Sequence, residues 1–81
     1  DLSIGTIGTI NAVISEVRVI KDKNQNEMAF AKCENKLCSF EIVVFARQFQ
    51  KVKHLLQERM KVTITGKVET NKILVNTIDI L

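Results

Sequence analysis

Eighty-one residues, 46% of them hydrophobic, make one small domain with enough apolar material for a core, which excludes a disordered chain. A formal net charge of +3, from 12 basic and 9 acidic residues, permits a polyanionic partner without requiring one. No apolar run approaches the roughly 18 residues that span a bilayer and no charged-then-apolar leader stands out, so the expectation is a cytoplasmic domain away from membranes.

Residues from Gly5 to Lys21 are rich in β-branched side chains and contain no proline, and they read as one long strand. No single alternation fits all of it. Ile10, Ala12 and Ile14 share one parity, whereas Val13, Val17 and Val19 share the other, so a bulge or bend is expected near Val13–Ser15. Gly5 and Gly8 are expected to ease close packing at the strand's start. Asp22 to Asn26 is an unbroken polar cluster, hence a turn. A second strand follows from Glu27 to about Cys33, and a third from Cys38 or Ser39 to Phe45.

In the third strand Phe40, Ile42 and Val44 form the natural core face, opposite Ser39, Glu41 and Val43. In the second, Ala29, Ala31 and Cys33 share a parity opposite Met28, Phe30 and Lys32. The small residues suit a tight interior. Two large apolar side chains and a lysine are therefore expected to point outward; the opposite register would make Phe30 a core residue. Apolar residues at positions 49, 52, 55 and 56 then predict an amphipathic helix of about three turns over Arg47 to Arg59, capping the open end of the sheet. Lys61 to Glu69 alternates with Val62, Ile64 and Val68 inward. Thr70–Asn71–Lys72 is a turn, and Ile73 to Leu81 forms the last strand. The β-β-β-α-β-β order predicts an all-β fold with one helix, a five-stranded OB-fold Greek-key barrel.

Catalysis finds little support. His54 is the only histidine and has no serine or cysteine partner at a recognisable spacing. The carboxylates are scattered among lysines without an acid–base pair, and three glycines build no phosphate-cradling loop. Cys33 and Cys38, with His54 as the only further candidate, fall short of the roughly four ligands a zinc site needs. Facing strands would make a disulfide sterically conceivable, but two reduced thiols, Cys33 packed and Cys38 at a strand start, are expected. No cofactor is expected.

Binding is better supported, because such barrels grip single strands by stacking bases on exposed rings while cations follow the phosphates. Phe30 with Met28 beside it would supply the stacking surface. Arg18, Lys21, Lys23 and Lys32 would supply the charge, and Glu41 would accept hydrogen bonds from a base edge. Lys51, Lys53 and Lys61 lie away from this face and are given no role.

The run Lys23…Glu27–Met28–Ala29–Phe30, then Cys33–Glu34–Asn35–Lys36–Leu37–Cys38, then Phe40–Glu41–Ile42–Val43–Val44–Phe45 resembles the OB-fold module near the C-terminal end of the bacterial DNA polymerase III alpha subunit. The resemblance spans roughly Gly8 to Leu81. Asn35 stands for the family's usual Asp, Leu37 for Thr, Cys38 for the turn Gly and Ala46 for Pro, and the first turn lacks its Gly. Asparagine in that turn is expected to take up the positive φ. The resemblance implies a single-stranded DNA-binding, non-catalytic module of a DNA-directed DNA polymerase, with other replisome subunits as further partners. The chain starts at Asp1 without an initiator Met and is expected to be a piece of that longer nucleotidyltransferase. An OB domain devoted to protein contact or internal packing, or one that binds tRNA anticodons in a class II aminoacyl-tRNA synthetase, are the alternatives.

Overall fold

Five strands close into a barrel in the order β1-β2-β3-β5-β4 in this computed structural model, which describes residues 4–81. The elements are β1 (Ile7–Lys21), β2 (Glu27–Glu34), β3 (Ser39–Val44), α1 (Ala46–Val52), a single 3₁₀ turn (Lys53–Leu55), β4 (Lys61–Glu69) and β5 (Lys72–Ile80). The β-β-β-α-β-β order and the OB-like barrel match the reading of the sequence.

β1 is long enough to serve two neighbours. Its first half pairs with β4 from Ile7↔Lys67 to Val13↔Lys61, and its second half pairs with β2 from Val13↔Glu34 to Lys21↔Glu27. The register slips by one residue between Ile14 and Glu16. This bulge at Ser15 reverses which side chains face inward, so Ala12 and Ile14 point to the core before it and Val17 after it. Ser15 Oγ donates to the Lys32 carbonyl oxygen at 3.1 Å, holding the bulge against β2.

The β1–β2 turn is built by Asp22. Its Oδ1 accepts the backbone N–H groups of Asn24 and Asn26 at 2.8 and 3.0 Å. The residue with positive φ is Gln25, at 68°, rather than any of the asparagines expected to adopt it. The two side-chain-bonded amides leave Gln25 as the turn's hinge, which a glutamine tolerates because the cost of a left-handed residue is small against those bonds. Asn35 does similar work in the β2–β3 turn. Its Oδ1 accepts from the N–H of Leu37 and Cys38 at 2.9 and 3.0 Å, while its Nδ2 donates to the Asn11 carbonyl oxygen at 3.2 Å. An aspartate could not make that last bond, because it has no donor.

The interior is filled by small and β-branched side chains: Ala29, Ala31 and Cys33 from β2, Ile42 and Val44 from β3, and Ile64 from β4. Phe49, Val52, Leu55 and Leu56 are buried beneath them. The helix that carries the first two is shorter than the expected three turns, with seven residues. Backbone at Val52 departs from helical values (φ −120°), and the tighter 3₁₀ turn that follows brings both Leu55 and Leu56 under the barrel. A continuous α-helix would leave these adjacent residues on diverging directions.

Two glycines differ in role. Gly5 lies before β1, where its φ of 88° suits a residue without a side chain and open space surrounds it, so conformation and not close packing explains it. Gly66 sits where the β4–β5 register shifts next to Thr65, and any Cβ there would collide with the Leu74 backbone carbonyl and the Ile73 side chain. Gly66→Ala should therefore destabilise the domain by at least about 2 kcal/mol in urea denaturation, as overpacking against backbone does; a change below about half a kcal/mol would contradict this pairing of β4 with β5.

Candidate nucleic-acid interface

The outward side chains of β1, β2 and β3 form three parallel rows across the barrel. The middle row runs Arg18, Phe30, Val43 and Leu74, each residue opposite the next in register. Arg18 places its guanidinium carbon 5.4 Å from the centroid of the Phe30 ring. That distance is within the range of a cation–π contact. The ring is half-buried, and with Arg18, Lys32, Glu16 and Glu41 it lines a shallow pocket of about 80 Å³. Phe30 thus points outward as expected, but a guanidinium already covers it. The outward feature at this position is an Arg18–Phe30 pair and not a bare ring.

On one side of this row stand Ile20 and Met28, paired in register. Phe45 follows Val44, the partner of Ala29, in extended backbone (φ −69°, ψ 159°), which puts it at the Met28 end of β3 on the same outward parity. Met28 is only 9% exposed, a correction to its expected place as open stacking surface. It occupies the middle of the row, so its neighbours shield it from solvent. Ile20 and Phe45 at the row's ends are 37% and 46% exposed. Phe45 is the ring to which the sequence reading gives no role, although the alternation of Ser39, Glu41 and Val43 continues outward to it.

On the other side lies a row of charges with alternating sign: Glu16, Lys32, Glu41, Lys72 and Glu69, each opposite the next. The Lys32 ammonium is 3.8 Å from a Glu16 carboxylate oxygen. Both side chains are exposed, so the pair adds little stability. Lys32 stands in register between Glu16 and Glu41, so a phosphate approaching it meets carboxylates on both sides. Glu41 is half-buried in this row, so the carboxylate expected to meet a base edge has lysines on both sides. Lys21 and Lys23 are exposed at and beyond the end of β1, beside the β1–β2 turn. The structure therefore gathers Arg18, Phe30, Lys32 and Glu41 around one pocket, sets Met28 beneath their neighbours, and leaves Lys21 and Lys23 on the adjoining turn.

The opposite face of the barrel is different in kind. Thr9, Thr65 and Thr77 pair across β1, β4 and β5, with the Thr9 and Thr65 hydroxyl oxygens 3.1 Å apart, and Thr63 Oγ1 donates to Asn11 Oδ1 at 2.8 Å. No ring lies in these rows.

The cysteines do not face each other. Cys33 pairs with Phe40 and Glu34 with Ser39, which leaves Cys38 in the turn, its Sγ 3.8 Å from Asn35 Oδ1. Both thiols are free. Among the described residues no cluster of His, Cys, Asp and Glu could hold a metal ion, and no helix is long and apolar enough to cross a membrane. Comparison with protein-family models, curated proteins and solved structures found no match for this chain.

Burial pushes the Cys33 thiol up from its ordinary 9.0 to about 12. Between those values the unfolded chain releases the proton that the fold retains, so this group's contribution to stability falls as pH rises through that window. In the native protein Ellman's reagent should titrate one thiol promptly, Cys38, and reach Cys33 only at the rate of unfolding. Prompt reaction of both, or of neither until reductant is added, would be incompatible with this arrangement.

Proposed function

We propose that the outer face of β1, β2 and β3 binds single-stranded DNA, as a non-catalytic module of a larger replicative DNA polymerase. The observation that carries this reading is the Arg18–Phe30 pair at the centre of the face. A guanidinium 5.4 Å from a ring centroid places a cation and a π-face together where a base can stack, and such stacking is tolerant of sequence. Arg18 also reaches phosphate, and Lys21 and Lys23 continue the positive charge along the β1–β2 turn. The charge-alternating row at Lys32, with its excess carboxylate, borders the path on the other side and directs the backbone towards the turn. The polymerase assignment rests on the sequence resemblance, with Met28–Ala29–Phe30 ahead of the Val43–Val44–Phe45 strand as its most specific element.

One stacking pair and three basic side chains make a weak grip, suited to one contact within a larger one. A second reading, contact with a protein in a replication assembly, is favoured by a separate observation: exposed Ile20 and Phe45, with the charge-alternating row across the Arg18–Phe30 row from them, resemble the apolar part and polar rim of a protein interface.

Fluorescence anisotropy with labelled oligo-dT should show binding that weakens steeply with salt, and weaker binding to duplex. Phe30→Leu keeps an apolar side chain over the same site and should leave the melting temperature nearly unchanged, while removing about 1–3 kcal/mol of binding. Lys53→Ala should change little. A folded wild type with no preference for single strands at low salt would favour the protein-contact reading.

A further inference from the structure

We infer that a second pocket, between the β1–β2 turn and α1, is a subsite for a guanine base; this rests on the single-strand reading for its biological role. The pocket has a volume of about 300 Å³ and is lined by Asn26 and Glu27 from the turn and the start of β2, and by Ala46, Arg47 and Gln50 from α1. Its size lies at the lower end of the range for small-ligand sites. Among the described residues, the side chains of Asn26, Glu27, Arg47 and Gln50 take part in none of the hydrogen bonds or ion pairs of the fold. Four exposed polar side chains thus line one opening without a partner in the fold. The exposed Phe45 ring immediately precedes Ala46 in the chain.

The donor and acceptor types select the ligand. Arg47 presents parallel N–H donors, which match the O6 and N7 acceptors of guanine. Adenine offers N7 but puts an amino group where O6 would be, so it opposes a second donor. Glu27 brings only acceptors when ionised, which suit the N1–H and N2–H donors of guanine and would repel the N1 lone pair of adenine. Asn26 and Gln50 carry both donor and acceptor and accommodate either edge. The subsite lies next to Lys21, the register partner of Glu27, so a strand stacked on Arg18–Phe30 reaches it by continuing along the turn.

Two measurements on the isotopically labelled chain test this. Titration with 5′-GMP should move the side-chain amide resonances of Asn26 and Gln50, and 5′-AMP at equal concentration should move them much less. In anisotropy, a dT oligomer with one central dG should bind about fivefold more tightly than one with dA, the low end for a bidentate contact in an open site. Arg47→Gln, on an exposed helix position, should abolish that difference and leave affinity for plain oligo-dT within about twofold, and Arg47→Lys should not restore it. Equal shifts with GMP and AMP, or equal affinity for the dG and dA oligomers, would overturn the subsite while oligo-dT binding keeps the single-strand reading intact. Selective GMP shifts without oligo-dT binding would instead retain the subsite and remove the single-strand reading.

Discussion

The bulge at Ser15 is the constraint on which the rest of this barrel depends. A single strand of 15 residues can close a five-stranded barrel only if it belongs to both of its halves, and it can bury the right side chains in both only if its alternation is re-phased between them. Without the extra residue, continuing the parity of Ala12 and Ile14 would turn Glu16 and Arg18 to the core and Val17 out to solvent. With it, Arg18 stands outside, opposite Phe30, and the apolar parity of β2 can be spent on Ala29, Ala31 and Cys33. These small side chains leave room in the interior for Ile14, Ile42 and Ile64, all fully buried. The outward position of Phe30 is thus a consequence of barrel closure.

The same register sorts the outer face by chemistry. Cross-strand neighbours are set by strand pairing, so each row across β1, β2 and β3 behaves as a unit. One row is apolar, the next has a guanidinium over a ring, and the third alternates in charge with one carboxylate in excess. On the proposed single-strand reading, the ligand's phosphates follow the basic β1–β2 turn and the Arg18 position, and Lys32 stands between carboxylates. The threonine-rich face on the far side of the barrel has neither a ring nor a charge pattern of this kind, which gives the molecule one chemically distinctive surface.

Much of the fold was legible because β-branched runs and polar turns are local signals. The break in alternation near Val13–Ser15 announced the bulge, and the small residues of β2 announced the inward face. What escaped was anything that depends on how separate segments meet. The burial of Met28 comes from its central place among neighbours on β1 and β3, and no pattern within β2 reports it. The placing of Lys32 between Glu16 and Glu41 requires the register of three strands at once. The helix reads as three turns because positions 49, 52, 55 and 56 fit that period, yet the need to pack Leu55 and Leu56 side by side tightens its end. Arg47 and Gln50 gain interest only when α1 is brought beside the first turn, 20 residues away from Glu27 at position 47.

A single strand lying on the face built around Arg18 and Phe30 would be located by backbone amide shifts more directly than by any substitution. Titrating unlabelled oligo-dT into the labelled domain should move the amide resonances of Arg18, Phe30, Val43 and the β1–β2 turn, and should leave Thr9, Thr65 and Thr77 in place. Shifts concentrated on the threonine face, or spread evenly over the barrel, would contradict the account.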